Sequence, residues 1–293
     1  MRSIEAIYRL HREALLAGYT SEETPKAILL GGQPSSGKGA LAERVKEQYP
    51  SRKFLSVNGD LFRRFHPNFN RLQKDPSTFS ERTQSFSNFF TENLIQEAIT
   101  NKYSIIVEGT MRTPDTTINT AKAFKHAGFE VDAYVISAPA EITRLNLAKR
   151  YVEEIRKQGY GRLADSASHD RAVDGIPQTL DRLYAEQLVD RISIYGLFAE
   201  KEIKTYTLTP GGWSDKSTPP SAVLLHHREL QRKDLALLKE LIDGSQELLK
   251  SPTLSVADKT LIATPLEGMK NLYQEAIKGR ENKTRPQPFG MEF

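Results

Sequence analysis

The chain has no cysteine among its 293 residues. Disulfides, thiolate nucleophiles and cysteine-ligated zinc are therefore excluded, and a reducing cytoplasm is the expected setting. No apolar run approaches the roughly 20 residues of a membrane-spanning helix. The opening Met1-Arg2-Ser3-Ile4-Glu5-Ala6 lacks the apolar core of a signal peptide. Internal repeats and low-complexity tracts are missing too. Clustered charge is also lacking. The net charge is +4, but the basic residues are dispersed, which suits a site for several phosphates better than a nucleic-acid surface. Neither nucleic acid nor a membrane is expected as a partner. What is present suffices for a core: 38% of residues are hydrophobic and 9% aromatic, and 27% charged is no sign of disorder. The length allows one large domain, or one domain with an appendage.

Short apolar runs at 27–30, 54–57, 105–107, 131–137 and 192–195 read as strands. Helical patterns fall at 3–17, 40–48, 79–100, 115–127, 141–157 and 178–190. Alternation of this kind predicts an α/β fold, a mainly parallel sheet between two layers of helices, with ligands at the carboxyl ends of the strands. The character changes after about residue 209. Thr209-Pro210-Gly211-Gly212-Trp213 and Ser217-Thr218-Pro219-Pro220 read as loop or linker. Residues 221–250 and 256–279 read as helical. The expected layout is a domain over 1–213, a helical extension over 214–280, and a disordered tail over 281–293.

The apolar run Ala27 to Leu30 feeds Gly32-Gln33-Pro34-Ser35-Ser36-Gly37-Lys38, followed by Gly39, Ala40 and a helix-forming stretch. Gly32, Gly37 and Lys38 have the spacing of a Walker A phosphate loop. Backbone N–H groups there can face phosphate oxygens, and the helix dipole favours negative charge. Lys38 then bridges the β- and γ-phosphates of a nucleotide; otherwise it is an exposed lysine in a turn. One position departs from the motif: Gly39 stands where a Ser or Thr hydroxyl normally ligates magnesium.

Three more stretches fall where strands should end. In Asn58-Gly59-Asp60, Asp60 is either a base for an attacking hydroxyl or the N-cap of a helix from Leu61. His66-Pro67 reads as a turn. Glu108 directly follows a buried strand, a position packing does not explain. It can hold magnesium through water or bond a sugar hydroxyl, with Thr110 and Arg112 adding a hydroxyl and an anion fork. Arg150, on a helix, and Arg162, in a glycine-flanked loop, are either phosphoryl-binding lid cations or solvated surface residues. His169-Asp170 reads as a helix start.

Together these elements resemble the zeta-toxin family of bacterial toxin–antitoxin systems, over about residues 5–215. The resemblance rests on Leu29-Leu30-Gly31-Gly32-Gln33-Pro34, on Gly59-Asp60-Leu61-Phe62-Arg63 with His66-Pro67, and on Glu108-Gly109-Thr110-Met111-Arg112-Thr113. It continues through Arg150-Tyr151-Val152-Glu153, Arg162-Leu163-Ala164 and His169-Asp170. It implies a P-loop kinase fold and ATP-dependent (or GTP-dependent), magnesium-assisted phosphorylation of a UDP-activated sugar. The best-known acceptor is the 3′-hydroxyl of UDP-N-acetylglucosamine, whose phosphorylation poisons peptidoglycan precursor synthesis. By position, the resemblance implies that Lys38 and the loop from Gly32 to Ala40 bind the nucleotide phosphates and that Asp60 is the general base. His66, Glu108, Thr110 and Arg112 bind substrate, and Arg150 and Arg162 clamp the transferred phosphoryl. With no loop hydroxyl at Gly39, magnesium is held through water by Asp60 or Glu108. A small helical antitoxin is the implied partner. Adenylate-kinase-like loops also read Gly-Lys-Gly but continue with Thr, where this chain has Ala40. The long C-terminal helical region is a second departure, open to roles in oligomerisation, inhibition or docking.

Overall fold

Every residue of the strand Lys26–Gly31 is buried, as the middle of a two-sided sheet requires. The structure is a computed structural model describing residues 3–158, 166–231, 233–250 and 254–284. Among these residues the strands are β1 (Lys26–Gly31), β2 (Leu55–Asn58), β3 (Ile105–Glu108), β4 (Glu130–Ile136), β5 (Arg191–Tyr195), β6 (Glu202–Thr209) and β7 (Gly212–Trp213). They form one sheet in the order β2-β3-β1-β4-β5-β6-β7. The first five are parallel, and β6 and β7 are antiparallel additions at one edge.

The helices are α1 (Ile4–Leu16), α2 (Lys38–Gln48), α3 (Gly59–Phe62), α4 (Phe69–Leu72), α5 (Pro76–Arg82), α6 (Gln84–Asn101) and α7 (Pro114–His126). They continue with α8 (Ala140–Gln158), α9 (Ser166–Ala185), α10 (Pro220–Arg228), α11 (Asp234–Leu249) and α12 (Val256–Thr284). Alternation along β1 divides the core. Ala27 and Leu29 face a cluster with Phe90, Leu94, Phe124, Ile176 and Leu224 from α6, α7, α9 and α10. Ile28 and Leu30 face Leu41 and Val45 of α2. The result is the expected three-layer α/β/α architecture. No helix among the described residues is long and apolar enough to cross a membrane.

Several elements differ from the sequence pattern, each for a local reason. The helix expected over 79–100 is broken at Thr83 (φ −105°, ψ 1°). Its buried hydroxyl donates to the Phe79 carbonyl at 2.6 Å and accepts from Arg63 at 2.9 Å, a side-chain alternative to helical bonding. The helix expected to start at 178 begins at Ser166 and runs through Pro177. Proline has no N–H to give the carbonyl four residues back. That carbonyl, Val173 O, instead receives the Arg228 guanidinium. The loop expected around 209–213 is a hairpin of β6 and β7. The strand β6 is half-buried along most of its length, with only Tyr206 fully buried, so it shows no inside–outside alternation and carries little strand signal.

The expected boundary after residue 213 also moves. Helix α10 packs on α9 and β5, buries Leu224 in the main core, and its Leu224 carbonyl accepts from Ser137 at 2.7 Å. The appended part therefore begins with α11. Helices α11 and α12 lie on α8 through two clusters centred on Ile142, Leu145, Tyr151 and Val152. Helix α12 runs four residues into the stretch expected as a tail; residues 285–293 lie outside the described residues.

Candidate active site

The turn after β1 wraps on itself before α2 begins. Ser35 has φ 63° and Gly37 has φ 103°, left-handed conformations of the kind found in anion-binding backbone turns. At Gly37 only glycine fits, since an added Cβ would lie 2.5 Å from the Phe198 Cα. Lys38 opens α2 and folds back over the turn, donating from Nζ to Gly32 O at 2.8 Å and to Gln33 O at 3.2 Å. The buried Ser35 and Ser36 hydroxyls have no protein partner, an arrangement suited to an oxygen-rich ligand. Pro34 is half-buried. Gly39 and Ala40 are exposed, and a Cβ at Gly39 would meet nothing within 4 Å.

Gln33 is fully buried and ties the loop to its surroundings. Its Nε2 donates to Ala138 O at 2.7 Å, and its Oε1 accepts from Arg228 at 3.2 Å. Thr143 on α8 lies 3.4 Å from the same amide and 2.8 Å from His169 Nε2 on α9. The His169–Asp170–Arg144 chain completes the network. His169 therefore does more than start a helix: it is buried, and burial lowers its imidazole pKa.

At the ends of β2 and β3, one asparagine joins the two carboxylates expected from the sequence. Asn58, not Asp60, caps α3: its Oδ1 accepts from the Asp60 N–H at 3.0 Å. Its Nδ2 donates to Glu108 Oε2 at 2.8 Å. Asp60 is thereby released from the capping role, with its side chain about half exposed. It is oriented by Arg63, which is 4% exposed and donates from Nε to Asp60 Oδ1 at 3.1 Å. Ser80 O, Thr83 Oγ1 and Gln84 Oε1 hold the rest of that guanidinium. The break between α5 and α6 thus anchors an arginine that aims the candidate base.

Burial raises the Glu108 carboxyl above the ordinary glutamate value. The charge of Lys38 acts to lower it, Asp60 to raise it, and Asn58 and Arg150 to lower it again. Side chains from α2, β2, α3 and α8 thus act on the charge of this one carboxyl, Asn58 by direct contact. Arg150 is 41% exposed and paired with Glu154 at 3.2 Å.

Beside Glu108, a cavity of about 450 Å³ opens between α6 and α7. Glu108, Thr110 and Arg112 line it, as do Gln84, Asn88, Thr91 and Glu92 from α6, with Thr113, Thr116, Thr117 and Thr120 opposite. The α6 residues recur at helical spacing, so in the sequence they look like a solvated face. The loop carrying Thr110 and Arg112 is held by α9. Thr179 donates to Met111 O at 2.8 Å, and a Cβ on Gly175 would come within 2.1 Å of Arg112 O.

One residue expected to bind substrate is not among those lining the cavity. His66 does not line the cavity: its Nδ1 accepts from the Asn68 N–H at 3.1 Å and its ring packs edge-on to Phe86 at 4.6 Å. It follows the short turn Arg63–Phe65, and burial lowers its pKa, helped by Arg82 and Arg71. Arg162 lies outside the described residues. No group of three or more His, Cys, Asp or Glu among the described residues could hold a metal ion by itself. Asp60 and Glu108 are the carboxylates at the strand edge.

Comparison with known proteins identifies the family. The family model described as zeta toxin matches residues 12–231. Toxin zeta of Enterococcus hirae is 31% identical over 223 residues, 75% of this chain and 74% of that protein. A structure from the PezAT chromosomal toxin–antitoxin system of the human pathogen Streptococcus pneumoniae superposes with a TM-score of 0.69 at 25% identity. It covers 84% of this chain and 96% of the other. A complex of AvrRxo1-ORF1 and -ORF2 with ATP gives a TM-score of 0.51 at 14% identity, over 91% and 82% of the two chains. At that identity the likeness shows the fold alone.

Proposed function

Because the chain belongs to the zeta-toxin family, we propose that it transfers the γ-phosphoryl group of ATP, or GTP, to the 3′-hydroxyl of UDP-N-acetylglucosamine, and so blocks peptidoglycan precursor synthesis. The coarser statement, a phosphotransferase, comes with the family and the fold. What supports the finer one is the pairing of Asp60 and Glu108 through Asn58 at the strand edge, at 3.0 and 2.8 Å, beside a cavity lined by hydroxyls, amides and one arginine.

In this reading Lys38 exchanges the carbonyls of Gly32 and Gln33 for phosphate oxygens. The unpartnered hydroxyls of Ser35 and Ser36 and the loop N–H groups bind the others. Asp60, oriented by Arg63, takes the proton of the acceptor hydroxyl as its oxygen bonds to the γ-phosphorus and the bond to the β-phosphate oxygen breaks. Glu108 and Thr110 orient the sugar, and Arg112 binds the diphosphate of the acceptor. Arg150 stabilises the moving phosphoryl group, with Arg162 as its proposed second cation. Magnesium, when bound, neutralises the nucleotide phosphates. Asp60 and Glu108 are the groups to hold it through water, as suits an ion that dehydrates reluctantly.

The proposed partner is a small helical antitoxin that blocks the nucleotide site, in keeping with the toxin–antitoxin system to which the pneumococcal neighbour belongs. Mass spectrometry of the products from ATP and a mixture of UDP-sugars tests the reading. A phosphorylated UDP-N-acetylglucosamine is expected. Turnover of another acceptor alone would reassign the substrate. Nucleotide binding without any turnover, unrescued by Gly39→Ser, would make the chain a binding module. The space around Gly39 makes that substitution sterically free.

A further inference from the structure

The phosphate loop explains how phosphates are bound but not how a base is. One side chain on its rim is unusual. Phe198 follows β5 in the short turn Leu197–Ala199 and is 40% exposed. Its backbone is left-handed (φ 56°, ψ 21°), and so is that of Ala199 (φ 57°). Residues with side chains seldom adopt this conformation, and two in succession are rarer. The turn is held there by defined bonds. Phe198 N–H donates to Ser36 O of the phosphate loop at 2.9 Å, Ala199 N–H to Gly196 O at 3.0 Å, and Gly196 N–H to Lys201 O at 2.8 Å. The ring is carried against Gly37, where an added Cβ would sit 3.1 Å from Phe198 Cδ1. A strained backbone thus holds an apolar ring partly in water, one residue from the lysine that grips phosphate. A glycine at 198 would relieve the strain and remove the exposed apolar surface together.

We propose that Phe198 is the stacking platform for the nucleobase of the phosphate donor, a proposal that rests on the nucleotide-kinase reading above. With the triphosphate in the loop, the base attached to it lies on the ring face. Stacking uses the π-face that every base has, so it contributes affinity with little discrimination between adenine and guanine. The persistence of an unfavourable conformation beside a binding loop is the pattern expected where strain serves function.

Titration calorimetry with a non-hydrolysable ATP analogue and with inorganic tripolyphosphate tests this. Phe198→Ala is expected to weaken the analogue about tenfold, within the range for loss of one base–aromatic stack, and to leave tripolyphosphate within about twofold. Phe198→Trp should retain analogue binding. Phe198→Gly should lose it as Phe198→Ala does, while melting no lower, because glycine tolerates the left-handed backbone. Equal analogue affinity in wild type and Phe198→Ala overturns the proposal. So does an equal loss for tripolyphosphate, which would mean that the loop itself had shifted. If the wild type binds neither ligand, the nucleotide reading falls and the base platform falls with it.

Discussion

Asn58 shows how much a single side chain organises. By capping α3 it frees Asp60, and by donating to Glu108 it fixes the second carboxylate. The two acids have different environments: Asp60 is about half exposed on a buried arginine, whereas Glu108 is largely desolvated. That contrast suits different tasks, proton acceptance for one and substrate orientation for the other. Asp60→Asn keeps an oxygen for Arg63 but removes the base. It is expected to lower kcat by about 10²–10⁴ with ATP affinity little changed. Lys38→Ala, which removes a charge-stabilising donor, should cost about 10²–10³ in rate. Steady-state kinetics with separate nucleotide titrations checks both, and near-wild-type turnover in Asp60→Asn would remove the base assignment.

Glu108 also makes stability depend on pH. Its carboxyl is raised by burial in the folded chain, so the folded state holds that proton more tightly than the unfolded state. The associated stability is fully present below the ordinary value of 4.5 and is lost as the pH rises through the raised folded value. Glu108→Gln stays neutral and still offers an oxygen to Asn58. It is expected to melt higher than wild type at neutral pH, with the difference closing below 4.5, while transfer activity falls. Thermal melts across that range check this. No gain at neutral pH would mean that Lys38, Arg150 and Asn58 fully compensate the ionised carboxylate.

At the scale of elements, the site is built from contacts between helices and loops that are far apart in sequence. The clearest is Gly175, which lets α9 lie directly on the backbone of the Thr110–Arg112 loop. Gly175→Ala forces a methyl group onto Arg112 O. It should cost about 1–3 kcal/mol as an overpacked contact, raise KM for the acceptor, and leave nucleotide binding unchanged. A variant with normal acceptor KM would mean that α9 does not position the Thr110–Arg112 loop.

This is also the scale at which sequence reading succeeds and fails. The phosphate loop, Asp60 and Glu108 are legible because each lies at or just past the end of a short, largely apolar run, and that pattern places it at a sheet edge. The cap role of Asn58 is not legible, because Asn and Asp two residues apart compete for it and only geometry decides. The start of α9 is hidden by Pro177, whose missing N–H is offset by Arg228 from α10, a partner more than fifty residues away. The polar face of α6 looks solvated because periodicity shows which residues share a face, but not whether that face meets water or a cavity. His66 packs on Phe86 and accepts from the Asn68 N–H, contacts that spacing alone does not show.

Across the whole molecule, α8 is the element through which the appended helices reach the chemistry. One side of it meets the phosphate loop: Asn146 Nδ2 donates to Ser35 O at 3.3 Å, Thr143 joins the Gln33 network, and Arg150 acts on Glu108. The other side is covered by α11 and α12, with Leu238, Ile262 and Leu266 almost fully buried. Without that cover, Ile142, Leu145, Tyr151 and Val152 would lose the apolar partners they have in these clusters. The extension thus packs directly on the arginine-bearing helix. Leu238→Ala opens a cavity under α8 and is expected to cost about 2–5 kcal/mol. If α8 is held in place by this packing, kcat should fall with Arg150 displaced, while Kd for ATP moves less, because Lys38, Gly32 and Gln33 are bonded within the loop itself. Melting temperature, kcat and ATP affinity measured on the same variant decide the matter. A loss of stability with kcat intact would reduce α11 and α12 to a fold-stabilising role with no hold on Arg150.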